Sequence, residues 1–440
     1  MSVRRARPIV AAAFAAALVP TGCGGGENPL RVGILNECTG LWALTAAPAL
    51  AGAALPLVER GATAGNRPGE LEGATVAGRP IEIVPACTEV TYYSQLITET
   101  RRLVESEDVD VVVGPMIGTS EAMVMPRLAA KYPDVTFLLG AGNARDVTLR
   151  ESRPNVFRFT PDGAQSVAGL GSYAFHELGW RRAAVVTEGY VGGWEVVAGF
   201  VAEFCALGGT VVERDYQSLL DPASGEAARR HAREADGVAL LVTAWNPGLY
   251  LGAYAAAVGP GLADRLVVSG APFFDAATRA PPQIDMSGVV VGGPLPFDPD
   301  NEAMNAYRES LERAYPDLAP GAANFDPTYS AYTAMEAIAS ALEATGGEIG
   351  EGQRELRRAL EQLVLDAPQG RIRLDGNRQA ISRITLEKIV GKGAKRGELQ
   401  AFRTIDDVDE GFGGLFTAET PSPSWAEPAC KQGNPPPWAT

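Results

Sequence analysis

Gly118-Thr119-Ser120 stands directly before an apolar-periodic stretch over 121–132 that reads as a helix. Two hydroxyls and unpaired backbone N–H groups at the positive end of a helix dipole suit a carboxylate or another anion. The same residues would also cap the helix, and the two roles are compatible. Aromatic rings stand where other short apolar runs end, at Trp42, Tyr190, Trp245 and Phe273, and such rings stack on flat or cationic groups. Acids stand nearby at Glu37, Glu188 and Asp275. Bond-making chemistry is poorly supplied. His176 and His231 are the only histidines in 440 residues, and both read as surface residues. That excludes a His-rich metal centre and restricts a Ser-His-Asp hydrolase to one of those two. No nucleophile is paired with a base at a recognisable spacing, and no Gly-Lys-Ser/Thr follows the glycine runs to make a phosphate loop. Nothing calls for a metal or a cofactor. Asp406-Asp407 and Asp409-Glu410 read as solvated acids in a polar tail.

The elements that must position these residues alternate. Short apolar strands are expected at 30–35, 80–85, 109–113 and 135–139, with helices at 47–59, 92–107 and 121–132 between them. The rhythm restarts after Arg158, with strands at 182–186, 210–213, 237–242 and 266–269 and helices at 165–178, 194–207, 225–235 and 249–258. Strands alternating with helices of this length form parallel sheets, and a fully apolar run such as Val111-Val112-Val113 suits a strand covered on both faces. The fold class is therefore α/β, with two doubly wound parallel-sheet lobes. A third section has a strand at 287–294, helices at 301–315, 329–344 and 352–364, and strands at 371–374 and 381–390. It is too strand-poor for its own domain and is expected to complete the first lobe. The last fifty residues, rich in Gly, Pro and acids, read as loop.

Hydrophobic residues make up 46% of the chain and charged residues 21%, enough for substantial cores. The formal net charge is −15, which argues against a broad nucleic-acid surface because nothing would neutralise phosphates. The N-terminus has Arg4, Arg5 and Arg7, an apolar run over 9–19 and then Pro20-Thr21-Gly22-Cys23, the order of a secretory signal. A small residue directly before Cys23 resembles a bacterial lipoprotein signal, although Pro20 stands where that pattern has Leu. The resemblance implies a signal peptide over 1–22, lipidation of Cys23 and a tether over 23–29. Plain secretion with a free Cys23 thiol is the alternative. Four cysteines remain, Cys38, Cys87, Cys205 and Cys430, and in an exported chain they allow three disulfide connectivities.

Six segments, in order, carry a wider resemblance: 109–121 (VDVVVGPMIGTSE), 157–160 (FRFT), 180–190 (WRRAAVVTEGY), 288–298 (GVVVGGPLPFD), 325–344 and 370–376 (GRIRLDG). Together they make the chain similar to the type I periplasmic-binding proteins, specifically the extracytoplasmic receptors of branched-chain amino acid and amide ABC importers. That family implies two lobes joined by a three-crossing hinge, here 30–157 plus 296–374 and 160–292 plus 382–440. It also implies the pairs Cys38–Cys87 and Cys205–Cys430, each within one lobe.

The resemblance places the ligand carboxylate at residues 118–120, with Gly118 replacing the usual Ser and leaving the hydroxyls to Thr119 and Ser120. Ala141, Gly142 and Asn143 match the family's loop of small residues, with Asn143 as its polar side chain. Residues 188–194 match the segment from which an aromatic closes over the ligand, so Tyr190 and Trp194 are both candidates, and Trp245 falls near another family aromatic. One departure matters. Ala271 stands where amino-acid-binding members have the acid that holds the ligand ammonium. Either Asp275, Glu37 or Glu188 replaces it, or the ligand is not an α-amino acid.

The implied function is that of a solute-binding lipoprotein: a monomer anchored outside the cytoplasm that closes on a small amino-acid-like, amide or aromatic metabolite and delivers it to a membrane permease. It is not an enzyme. A sensory module of the same fold is the first alternative and an exported hydrolase the second.

Overall fold

The computed structural model describes residues 28–89, 93–117, 123–218, 225–242, 247–269 and 283–439. Export signal, Cys23, Gly118, Thr119, Ser120, Trp245, Phe273 and Asp275 lie outside the described residues.

The first sheet contains β1 (Leu30–Glu37), β2 (Thr75–Val76), β3 (Arg79–Thr88), β4 (Val111–Val113), β5 (Thr136–Leu138) and β6 (Val156–Phe157). Their order is β2-β3-β1-β4-β5-β6, all parallel except the β2–β3 pair. β4 is buried along its whole length, as an all-valine strand covered on both faces must be. One face is covered by α1 (Ala46–Glu59) and α10 (Asp326–Thr345), which meet the sheet through residues such as Ala53, Met335 and Ile338. The other face is covered by α2 (Tyr93–Glu105) and α3 (Met125–Lys131) through Leu96, Leu103 and Leu128. Trp42–Glu59 is long and apolar enough to cross a membrane by length and composition, but it packs here as a core segment against α10.

The second sheet contains β7 (Arg182–Glu188), β8 (Thr210–Gln217), β9 (Gly237–Leu240), β10 (Leu266–Ser269), β11 (Val290–Gly293), β12 (Val364–Ala367), β13 (Gly370–Leu374), β14 (Ala380–Ile389) and β15 (Leu399–Val408). Its order is β8-β7-β9-β10-β11-β14-β13-β12, with β15 also paired to β14. The first five strands run parallel, and β12 to β15 add antiparallel pairs, so this sheet is mixed where an all-parallel one was expected. The helix α6 (Val191–Ala206) is buried nearly all round. Phe200 and Phe204 on it pack against Ile384, Leu386 and Ile405, and each fully buried ring of this size stabilises by about 1.5–3 kcal/mol. On the opposite face α7 (Gly225–Glu234) and α8 (Pro247–Val258) supply Ala228, Leu251 and Tyr254.

β15 corrects the expectation of a structureless C-terminal section. Only Leu399, Ile405 and Val408 are buried in it, while the charges between face solvent, so its strand pattern is diluted to near invisibility. The expected helix 165–178 is also broken, into a 3-10 turn (Gln165–Val167) and α5 (Leu170–His176). Gly169 between them has φ +88°, and a Cβ there would come within 2.6 Å of Ile405. The third section returns α9 (Glu302–Ala314) and α10 onto α1, and α11 (Arg354–Gln362) onto the same core. The chain beyond α11 forms β12 where helix was expected to run on to residue 364.

Disulfides join Cys38 to Cys87, at the carboxyl ends of neighbouring β1 and β3, and Cys205 on α6 to Cys430 in the C-terminal segment.

Candidate functional site

In a doubly wound sheet, ligands bind beyond the carboxyl ends of the strands, where the strand order reverses. The first sheet reverses between β1 and β4 and the second between β7 and β9. β1 ends at Glu37, which is buried, and Glu37 Oε2 accepts a hydrogen bond from the Ile117 N–H at 3.0 Å. The acid thus orders the loop leading into residues 118–120. β7 ends at Glu188, also buried, beside Thr187, whose hydroxyl donates to the Leu241 carbonyl beyond β9 at 2.7 Å. Each switch point therefore carries one buried acid.

The loop after β5 joins these groups. Ala141 N–H donates to the Met116 carbonyl at 3.0 Å, the Gly142 carbonyl accepts from Arg158, and the Asn143 carbonyl accepts from the Gly163 N–H at 3.0 Å. Gly163 is required by close approach: a Cβ there would lie 2.6 Å from Glu195 Cβ and 3.1 Å from Asn143 Cβ. Asn143 from the first sheet's loop and the first turn of α6 thus meet across one glycine. Tyr190 takes an extended backbone at the N-cap of α6, and its ring lies against Gly192. Trp194 follows one turn later, half-buried, with its Nε1–H buried and given no acceptor. Trp42 is buried within the 3-10 turn Gly40–Thr45, where its carbonyl accepts from the Thr45 hydroxyl at 2.8 Å. Of the expected site residues that the structure describes, Ala141, Gly142 and Asn143 share the loop after β5, Tyr190 and Trp194 share the start of α6, and Trp42 is buried in the turn after β1.

Asp326 was not singled out in the sequence. It opens α10, one turn before Ser330, whose hydroxyl lies 3.8 Å from Met116 Sδ in the loop after β4. Burial pushes its carboxyl up to about 7. An Asp-Pro pair at a helix start reads as an ordinary helix beginning, so only the arrangement of α10 beside Met116 reveals it.

Behind the loops lies a buried polar cluster. Arg158 is fully buried and donates to Gln379 Oε1 (2.6 Å), the carbonyls of Gly142 (2.8 Å) and Ala144 (2.9 Å) and the Thr148 hydroxyl (2.8 Å). Gln379 and Gln165 extend the network to the carbonyls of Thr160, Ala380 and Val408. Side-chain amides therefore tie residues 158–165, 379–380 and 408 together where the chain passes between sheets. Burial lowers the Arg158 guanidinium and raises the Asp162 carboxyl, and it pushes Glu195 and Glu410 up to about 8. Glu410, expected to be solvated, is buried because Asn377 Nδ2 donates to it and the chain folds back over it, while Asp406 and Asp407 remain exposed beside Arg383 and Arg373.

His231 is a second correction. It is fully buried, with Nδ1 2.5 Å from the Tyr254 hydroxyl and Nε2 3.2 and 3.3 Å from Glu213 and Asp215 on β8. Three arginines on or beside its helix suggest an exposed surface, but His231 occupies the inner face. Arg230 holds the Glu213 carboxylate and lowers its pKa. His176 is exposed, as expected.

Two α/β halves, each with a buried acid at its switch point, joined through a buried polar cluster where the chain passes between sheets, make the two-lobed architecture of a binding protein. A family model described as periplasmic binding protein matches residues 29–394, and the chain belongs to that family, a family of binding proteins and not of enzymes. Among solved structures, an ABC transporter substrate-binding protein from Sphaerobacter thermophilus is 22% identical with a TM-score of 0.74, covering 87% of this chain and 99% of that one. A solute-binding protein from R. palustris in complex with benzoate is 23% identical with a TM-score of 0.70, covering 86% and 97%. The branched-chain amino acid transporter substrate-binding protein LivJ from Streptococcus pneumoniae, in complex with isoleucine, is 15% identical with a TM-score of 0.65, covering 86% and 100%. The comparison with curated proteins found no match.

Proposed function

We propose that the chain is the extracytoplasmic solute-binding component of an ABC importer and that its ligand is a small aromatic carboxylate. The observation that carries this reading is the aromatic first turn of α6, Tyr190 and Trp194, on the helix that meets the small-residue loop 141–143 at Asn143 across Gly163. Rings on one wall and backbone groups on the other suit a flat ligand with one anionic end. Residues 118–120 would take the carboxylate, and Ala271, in place of an acid, removes the partner an α-ammonium needs. The likeness to structures in complex with benzoate, 3,4-dihydroxybenzoic acid and 4-hydroxybenzoate supports the same class.

Lobes of 30–157 plus 296–374 and 160–292 plus 382–440 close on the ligand by rotation at the amide-braced hinge, a population shift set by tighter binding to the closed form. Cys23 carries the lipid anchor, and the closed shape docks on the permease as a monomer. An amino acid is the second reading, favoured by Glu37 and Glu188, buried acids at the two switch points that could face an ammonium. A sensing role in the same fold differs only in the membrane partner.

Calorimetric titration of the mature chain with benzoate, 4-hydroxybenzoate, 3,4-dihydroxybenzoate, isoleucine and leucine tests the reading. Micromolar or tighter binding of at least one benzoate is expected, with no heat from either amino acid. Saturable binding of isoleucine or leucine alone would overturn it.

A further inference from the structure

The C-terminal segment crosses from one half of the molecule to the other. On the side of the first sheet, the Ser422 hydroxyl is hydrogen-bonded to Asp146 and accepts from Arg150 at 2.7 Å, both residues belonging to or bordering α4 (Asp146–Leu149). On the side of the second, the Tyr216 hydroxyl near the end of β8 reaches the carbonyls of Ser424 (3.3 Å) and Trp425 (3.4 Å), and Cys430 is bonded to Cys205 of α6. The turn between is held locally, with the Ala426 and Glu427 N–H groups donating to Ser424 Oγ at 3.3 and 3.1 Å. The Ser422 and Tyr216 contacts follow the carboxyl ends of β5 and β8, the face on which the candidate site is built, and the Cys430–Cys205 bond ties the segment down at the far end of α6.

At the middle of this strap the Trp425 side chain is 71% exposed although its backbone is fixed. Its ring centroid lies 6.5 Å from that of Trp194, with an interplanar angle of 36°. Carbon atoms touch at about 3.5–4.0 Å, so two rings roughly 7–8 Å apart clasp a third between them. The pair is a small outward movement from that spacing, and the exposed indole is free to make it. Trp194 Nε1–H is meanwhile buried without an acceptor. An unmatched buried donor costs about 1–3 kcal/mol, a penalty that a ligand oxygen would remove.

We propose that the C-terminal strap is a wall of the binding cleft and that Trp425 and Trp194 clasp the planar ring of the ligand, with the Trp194 Nε1–H donating to a ligand oxygen. This rests on the aromatic-carboxylate reading and adds a binding residue from outside both α/β sheets.

The test compares the full mature chain with Trp425→Ala and Trp425→Phe by calorimetry, using 4-hydroxybenzoate and isoleucine as probes. Melting temperature and mass-spectrometric proof of the Cys205–Cys430 bond establish that each variant is folded. Trp425→Ala is expected to weaken 4-hydroxybenzoate binding at least tenfold and Trp425→Phe to restore most of it. Iodide quenching of tryptophan fluorescence should fall on ligand addition in the parent and not in Trp425→Ala. An unchanged dissociation constant in a folded Trp425→Ala chain overturns the clasp while leaving the aromatic-carboxylate reading intact. A parent chain that binds isoleucine and not 4-hydroxybenzoate overturns both the reading and the clasp built on it.

Discussion

Arg145 and Glu195 join the two halves of the molecule in a buried pair: the Arg145 N–H donates to Glu195 Oε1 at 3.2 Å, and Arg145 Nε lies 3.9 Å from Glu195 Oε2. The Arg145 guanidinium also lies 3.7 Å from the centre of the Phe416 ring, so it is held between an acid and an aromatic from the other half.

Burial raises the Glu195 carboxyl from 4.5 to about 8, against the attraction of Arg145. The folded chain therefore holds this proton more tightly than the unfolded chain does. The resulting stabilisation is fully present below about pH 4.5, declines as pH rises towards 8 and is level above it. Urea midpoints at pH 5, 6.5 and 8 should fall in that order, and Glu195→Gln should flatten the trend. An unaltered slope in the variant would remove Glu195 as a source.

Gly163 spaces Asn143 from α6. Gly163→Ala puts a methyl group within 2.6 Å of Glu195 Cβ. Overpacking of this kind costs about 1–3 kcal/mol. Because the crowded residues belong to opposite halves, relief comes by parting them. Small-angle scattering of the ligand-free variant should give a larger radius of gyration than the parent, and an identical profile would contradict the placement of the hinge.

Arg158 satisfies four buried acceptors. Arg158→Met strands them and removes the strongest cationic influence on the buried Asp162 carboxyl. The loss should be about 3–5 kcal/mol by chemical denaturation, the range for removing one partner of a buried charged network. Arg158→Lys keeps the charge but lacks the planar fork, and should recover only part of it.

Cys205 and Cys430 enclose a loop of 225 residues. Cys430→Ser should lower stability by about 2–4 kcal/mol, and dithiothreitol should shift the parent's melting temperature towards the variant's. A variant as stable as the parent under oxidising conditions would show that the strap is held by its hydrogen bonds alone.

The alternation of apolar strands with helices was legible because buried parallel strands such as Val111–Val113 tolerate no polar residue. β15 was not, because its charges, Arg403, Asp406 and Asp407, equal its three buried side chains in number and break up their alternation. The loops at the strand ends could be read from position alone, and Asn143 does lie across Gly163 from α6, the helix that Tyr190 and Trp194 open. Asp326 escaped because its helix is placed by contacts distant in sequence, such as Ser330 to Met116, and His231 because its charged neighbours conceal an inward-facing position. Trp425 lies in a Pro-rich stretch with no periodicity, so nothing local marks it as adjoining Trp194.

The spacing of the two sulfur bridges sets an order of events during biogenesis. Cys38 can find Cys87 as soon as 49 further residues have emerged from the export channel, while Cys205 must wait for 225. The first bridge needs only the first 87 residues of the chain, and the second needs nearly all of it. A chain that ends before Cys430 would keep Cys205 on α6 as an unpaired thiol and leave the C-terminal strap untied.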